Sequence, residues 1–413
     1  MSHFNLSLST RSKKMSKSWN CNSTKSWRTQ FRKQFEVERN WKQGRYQVST
    51  EDGHNCGVFT LAFKEHILLT GSFEKNVRIW DRKNMIKVGS IAGHQGWVWK
   101  VLLEQSSASH ELISMSASQD ACIHVTNLSQ TNAKLANNHH YVVGENSPSS
   151  YSATIKSKPI QPSTRLIGHK GTVWTIDADK DLRTVYSGSS DYFVKRWDIE
   201  TQKSCNIGKH HDVVLCLTRG SSGNHFVVSG SADRTVKLWD IRSSHHNGAR
   251  MSLSGNTGCI NSVAFKGNLI VAGGDDKVVR VYDVRNGQCI NVVQGHNEAI
   301  RVLRIKGNRM VTGSSDKTIK VWNMDNLEHP VNTLRGHTGS VVSLQFDHKK
   351  IISGSLDSTI KKWSFDLLSC PKGGVGASPN KVPISRQTRP SRDRTWNNKQ
   401  APFQSPTPFR LNE

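Results

Sequence analysis

Histidine, serine or threonine, and aspartate are the residues of this chain with the most chemistry in them. His169, Ser187 and Asp191 are the side-chain types of a nucleophilic hydrolase, in which a base activates a hydroxyl and an acid orients the base. The same types recur as His210, Ser229 and Asp233, as His296, Thr312 and Asp316, and as His337, Ser353 and Asp357. A nucleophile needs one distinguished site. Sets repeated in register point to a structural role, so no catalytic residue is assigned and the chain is expected not to be an enzyme. Six residues after each acid stands a tryptophan: Trp197, Trp239, Trp322 and Trp363.

Other chemistries find little support. Gly373-Gly374-Val375-Gly376 has no strand before it and no helix after it, so it does not read as a phosphate loop. The eight cysteines contain no C-x-x-C pair, and His139-His140 has no further ligands nearby in sequence. No metal and no cofactor are expected. Scattered thiols suit a reducing compartment, the cytoplasm or nucleus. No apolar run approaches the roughly 18–20 residues of a membrane span, and no membrane partner is expected.

The elements that carry these residues are short strands. Val228–Asp240, VSGSADRTVKLWD, alternates apolar and polar residues on either side of a turn-prone run, which reads as strand, turn, strand. The frame fits seven times. Its acid and closing residues are Glu74 and Trp80, Asp120 and Thr126, Asp191 and Trp197, Asp233 and Trp239, Asp276 and Tyr282, Asp316 and Trp322, and Asp357 and Trp363. The closing positions lie 46, 71, 42, 43, 40 and 41 residues apart. Upstream stand Gly53-His54, Gly93-His94, Gly168-His169, Gly295-His296 and Gly336-His337, with Gly208-Lys209-His210 and Gly255-Asn256 in the fourth and fifth copies.

With these residues the chain resembles the WD-repeat β-propeller family from Tyr46 to about Phe365. The resemblance implies an all-β fold of seven blades. It also implies that the His, Ser/Thr, Asp and Trp of a blade form one internal hydrogen-bonded tetrad. In the fifth blade Asn256, Ala272 and Tyr282 replace three members, and in the second Thr126 replaces the tryptophan; these two blades are expected to be the softer ones. Tyr46–Thr50, ahead of the first Gly-His, would be the outer strand of the last blade and close the ring.

A second resemblance lies upstream. Ser18-Trp19, Trp27-Arg28 and Phe31, then Glu38-Arg39-Asn40-Trp41 with Gly44, are similar to the second half of an F-box and its linker in F-box/WD-repeat proteins. It implies a Skp-type adaptor bound through Trp19, Trp27 and Phe31, with the propeller holding a client for a cullin–RING ubiquitin ligase. The chain departs from the family in having no Leu-Pro pair, with which an F-box opens. On the residues alone, Trp27, Phe31 and Phe35 stand four apart on one face of a helix that Ser26 would cap and Gly44 would stop, packed on the propeller.

The expected organisation is therefore a disordered 1–14, a helical segment and linker over 15–45, a propeller over 46–366, and a disordered tail over 367–413. The insertion 128–163 is expected to be a disordered loop on the bottom face. The net charge of +25 is concentrated at the ends, with +9 in residues 1–48 and +6 in 371–413. Such flanks allow weak nucleic-acid contact, and a scaffold in an RNA-linked or other assembly is the alternative function.

Strand direction puts every appendage on the bottom face, leaving the top for protein partners. One top-rim residue per blade follows the histidine position by five: Phe59, Trp99, Trp174, Leu215, Asn261, Arg301 and Val342. Phe73 and Leu356, just before turn acids, extend the ring. In family members that read phosphopeptides, several of these places are arginine. Here Arg301 stands alone, so an apolar or aromatic-bearing client is expected, held by an aromatic crescent of Phe59, Trp99 and Trp174.

Overall fold

Alternation along each repeat turns alternate side chains to opposite faces of a strand, and both faces of an inner blade are covered by neighbouring blades. The middle strands are accordingly buried on both sides; Ile67–Ser72, Phe226–Ser231 and Lys350–Ser355 scarcely meet solvent. In the computed structural model, residues 22–107, 109–129, 159–220, 225–242 and 248–367 are described, with side chains from Trp27 onward. They form one N-terminal helix and seven four-stranded antiparallel sheets.

Within a sheet the strands run a, b, c, d outward. The fourth blade is Val214–Arg219, Phe226–Ser231, Val236–Asp240 and Met251–Leu253, paired in that order. The a strands of successive blades touch in cyclic order, and that of the first blade, Val58–Lys64, meets that of the last, Val341–Phe346. The ring closes because Gln47–Asp52 pairs with Thr359–Ser364 as the d strand of the last blade, with Val48 opposite Trp363. The last sheet therefore joins the first strand of the chain to the final one, which removes a free edge.

Side chains also stitch neighbouring a strands. Thr60 Oγ1 accepts Val101 N–H at 3.0 Å, and Ser262 Oγ accepts Leu303 N–H at 2.9 Å. One turn of the pleat lower, Asp177 Oδ2 accepts Arg219 N–H at 2.7 Å and Gln345 Oε1 accepts Phe63 N–H at 2.6 Å.

The helix, Asn22–Gln43, departs from its sequence reading in two ways. It begins four residues before Ser26, which lies inside it instead of capping it. Its stripe of Trp27, Phe31 and Phe35 does not pack on the propeller: these rings are 56, 63 and 61 % exposed. Contact is made by the last two turns. Trp41 is buried, stacks on Phe365 at 3.6 Å and donates from Nε1 to His348 O at 2.8 Å. Asn40 Nδ2 donates to Phe365 O at 2.9 Å, Glu38 pairs with Arg309 at 2.9 Å, and Val37 joins the same core. A helix of 22 residues is about 33 Å long; the propeller surface meets only one end of it. Gly44, at φ +64°, stops it in the left-handed conformation that glycine allows.

The insertion is also more ordered at its ends than expected. Leu128 is fully buried, and Ile160 forms a parallel bridge with Ile91. Residues 130–158 lie outside the described residues, as do 1–21 and 368–413, including Trp19 and the segments expected to be disordered.

Candidate functional site

The recurrent polar residues lie inside the blades. In the third blade Trp197 Nε1–H donates to Ser187 Oγ at 2.7 Å. The serine hydroxyl meets His169 Nε2 at 2.7 Å, and His169 Nδ1–H donates to Asp191 at 2.7 Å. His210, Ser229, Asp233 and Trp239 repeat this within 2.7–2.8 Å. His296, Thr312, Asp316 and Trp322 do so within 2.7–2.9 Å, and His337, Ser353, Asp357 and Trp363 within 2.8–2.9 Å. The serines and threonines are buried under their tryptophans, so no substrate carbonyl reaches them. Glycine one or two places ahead of the histidine has a steric reason. A Cβ on Gly208 would lie 2.0 Å from the Trp239 ring, and one on Gly295 2.7 Å from Trp322.

A further tetrad escapes the aspartate pattern. In the first blade Glu74 takes the acid's place: His54 bonds Glu74 at 2.9 Å and Thr70 at 2.8 Å, and Trp80 donates to Thr70 at 2.8 Å. The pairing of Glu74 with Trp80 at the repeat spacing was its signal. The two irregular blades are rewired. In the fifth, Asn256 donates to the Tyr282 hydroxyl at 3.1 Å, while Arg280 bonds Asn256 and Asp276. In the second, His124 stacks on His94 at 3.7 Å and 5° where tryptophan is lacking. His94, Asp120 and His124 carry potential ligand atoms within 4.8 Å of one another. The parallel rings direct their lone pairs along separate planes, so this arrangement does not converge on one ion.

Acid is expected to weaken the fold in two stages. Burial lowers His54 to about 4 against the pull of Glu74, and lowers His169 and His210 in the same direction. A lowered histidine contributes stability above its unfolded value of 6.5, and that contribution fades as pH falls toward 4, because the unfolded chain takes up protons that the fold refuses. The tetrad acids go next. Burial pushes Asp120 and Asp191 up, but bonds from His94 and His169 and from backbone N–H groups outweigh it and hold both at about 2. Their contribution, present above about 4, is lost toward 2. Urea unfolding from about pH 7.5 to about pH 4.5 should lose roughly 2–3 kcal/mol from His54 alone; unchanged stability across that interval would contradict the assignment.

The top rim has a common local cause. In every blade the a–b register slips by one residue at the rim position, between Val58 and Thr60, Val98 and Lys100, Val173 and Thr175, and so on round the ring. Phe59, Trp99, Trp174, Leu215, Asn261, Arg301 and Val342 are thus seven bulge residues, each turned out of the ladder. Four of the expected aromatics come together: Phe59–Phe73 at 4.1 Å, Phe59–Trp99 at 5.1 Å and Trp99–Trp174 at 4.1 Å. Trp97, missed in the one-per-blade count, extends the group at 4.2 Å from Phe73 and is 38 % exposed. Its signal was the alternation in Trp97-Val98-Trp99. The Nε1–H groups of Trp99 and Trp174 have no acceptor among the described residues.

Across the ring, Arg301 donates to Ser315 at 2.9 Å and to Asp275 at 3.1 Å, and Asn261 donates to the same carboxylate oxygen at 2.7 Å. Its charge is already matched. Leu215 and Val342 are half-buried between these two arcs, and Leu356 is exposed above Gly57. The helix meets the opposite face, at His348 in the a–b turn of the last blade and at Arg309, the first residue of the b strand of the sixth.

The family profile described as "WD domain, G-beta repeat" matches residues 45–81, 160–198, 202–240, 249–283, 287–323 and 328–364. The unmatched blade is the second, with its long insertion. Curated relatives include an F-box protein of Saccharomyces cerevisiae, 40 % identical over 58 residues, 14 % of this chain and 9 % of the relative. They also include the probable E3 ubiquitin ligase complex SCF subunit sconB of Emericella nidulans, 42 % identical over 55 residues, 13 % of this chain and 8 % of the relative. The match thus spans less than a tenth of either relative's length.

Proposed function

The chain belongs to the WD domain, G-beta repeat family, and from that premise we propose that it is a non-catalytic substrate receptor of an SCF-type ubiquitin ligase. It acts in the cytoplasm or nucleus, where the described cysteines, all free, stay reduced. The names of its relatives support the complex. The observation that carries the reading is the row Trp27, Phe31 and Phe35, each more than half exposed on a helix whose far end is fixed to the bottom of the propeller. Large aromatics in a row on an exposed helix face suit a helical partner of Skp type.

The client is taken on the top face. Tryptophans are frequent anchors of interfaces, and Trp99 and Trp174 lie with Phe59 and Phe73 in one aromatic cluster on the bulges of the top rim. Asp275 neutralises Arg301, which argues for an apolar or aromatic-bearing segment over a phosphopeptide.

The test is direct binding of a purified Skp-type adaptor to the full chain. Trp27→Asp and Phe31→Asp should each weaken it by about tenfold or more, while Trp99→Ala should leave it unchanged. Absence of adaptor binding by the natural chain, together with RNA binding that survives moderate salt, would favour the scaffold role.

A further inference from the structure

The a strands carry a second ring of side chains just below the rim. One residue past the bulge stand Thr60, Lys100, Thr175, Cys216, Ser262, Val302 and Ser343; two further on, blades three and six supply Asp177 and Arg304. Most of the polar members bond the wall, as Thr60, Ser262, Asp177 and Gln345 do to the next blade's backbone. The cations cannot accept such bonds. No acceptor among the described residues bonds Lys100, and Arg304 makes one bond, to its neighbour's carbonyl Leu303 O at 3.3 Å. Neither lies within 4.0 Å of a carboxylate among the described ion pairs. Asp177 spends its oxygens on Arg219 N–H at 2.7 Å and Ala178 N–H at 2.9 Å.

We propose that the axial channel beneath the aromatic crescent is a carboxylate site, in which Lys100 and Arg304 receive the acidic group of the bound client. With Lys100 protonated, two cations and one carboxylate leave a single unmatched positive charge, which suits a monoanion better than a phosphate dianion. The local electrostatics agree. Burial, with Arg304 adding to it, lowers the Lys100 ammonium to about 7, and burial raises the Asp177 carboxyl despite its two N–H donors. These cations are in tension with each other, and an arriving anion relieves it. The inference rests on the receptor reading only for the source of the carboxylate, an acidic side chain or a chain terminus.

Acetate is the probe. It is titrated into the full chain at constant ionic strength against chloride and followed by broadening of its NMR line and by tryptophan fluorescence. Saturable binding is expected, weakened about tenfold or more by Lys100→Gln and by Arg304→Gln. Lys100→Arg keeps the charge and should retain binding, which separates lost charge from a loosened ring. Inorganic phosphate should bind more weakly than acetate. No saturable acetate binding, binding indifferent to both glutamine variants, loss in Lys100→Arg, or tighter binding of phosphate would each overturn the proposal. An acetate-blind chain that still binds the adaptor ends this inference alone. An acetate-binding chain that ignores the adaptor ends the ligase reading and leaves the channel site standing. A capped glutamate dipeptide against a free-carboxylate dipeptide then distinguishes side chain from terminus.

Discussion

Trp363→Ala is expected to cost about 4 kcal/mol or more, a large part of a typical domain's stability. The indole is wholly buried, touches Tyr46 with ring centres 5.4 Å apart, and bonds Ser353 at 2.8 Å. Truncation leaves a cavity and takes from the Ser353 hydroxyl its indole donor while His337 stays bonded to it, two costs that add. Trp363→Phe keeps most of the packing and loses the N–H donor, so about 1–2 kcal/mol is expected. Its strand also holds Gln47–Asp52 in the sheet, with Val48 opposite Trp363; the alanine variant should therefore raise hydrogen exchange in 47–52 before it does so in the third or fourth blade. Urea unfolding with exchange read by residue checks both. A cost under about 1 kcal/mol would mean that the tetrads do not cement the blades.

The second large effect is at Trp41. Trp41→Ala removes the ring stacked on Phe365 and lying 4.0 Å from the Arg309 guanidinium, and the donor to His348. A loss of about 3–5 kcal/mol in the attachment of the helix is expected, read as exchange and protease cleavage in Asn22–Gln43 while the ring itself persists. Trp27→Ala, at an exposed ring, should change stability by no more than about 0.5 kcal/mol. Two tryptophans in one helix thus give opposite readouts: one fixes the helix and the other faces outward.

The ring was legible because its repeats are written in side chains that must be where they are: the acid, the closing aromatic, and a glycine under an indole. The first-blade tetrad was half legible, since Glu74 keeps the chemistry of aspartate but not its letter. What the sequence hid depends on neighbours distant in the chain. Trp27, Phe31, Phe35 and Trp41 look alike on a helical wheel; only the position of Phe365 and His348 decides which of them is covered. Arg301 reads as a free guanidinium until Asp275, on the preceding blade, comes within 3.1 Å. Trp97 lies outside a count of one rim residue per blade, and its place depends on the Phe73 ring beside it.

The helix is held by Phe365, His348 and Arg309, residues synthesised some three hundred positions after it. During translation it has nothing to sit on until the final sheet has left the ribosome. A truncated nascent chain would present the exposed aromatics on an unanchored segment, without a completed mouth at the other side. Only a chain whose seventh sheet is complete holds both, so the order of the chain itself postpones their joint presentation until Phe365 has emerged.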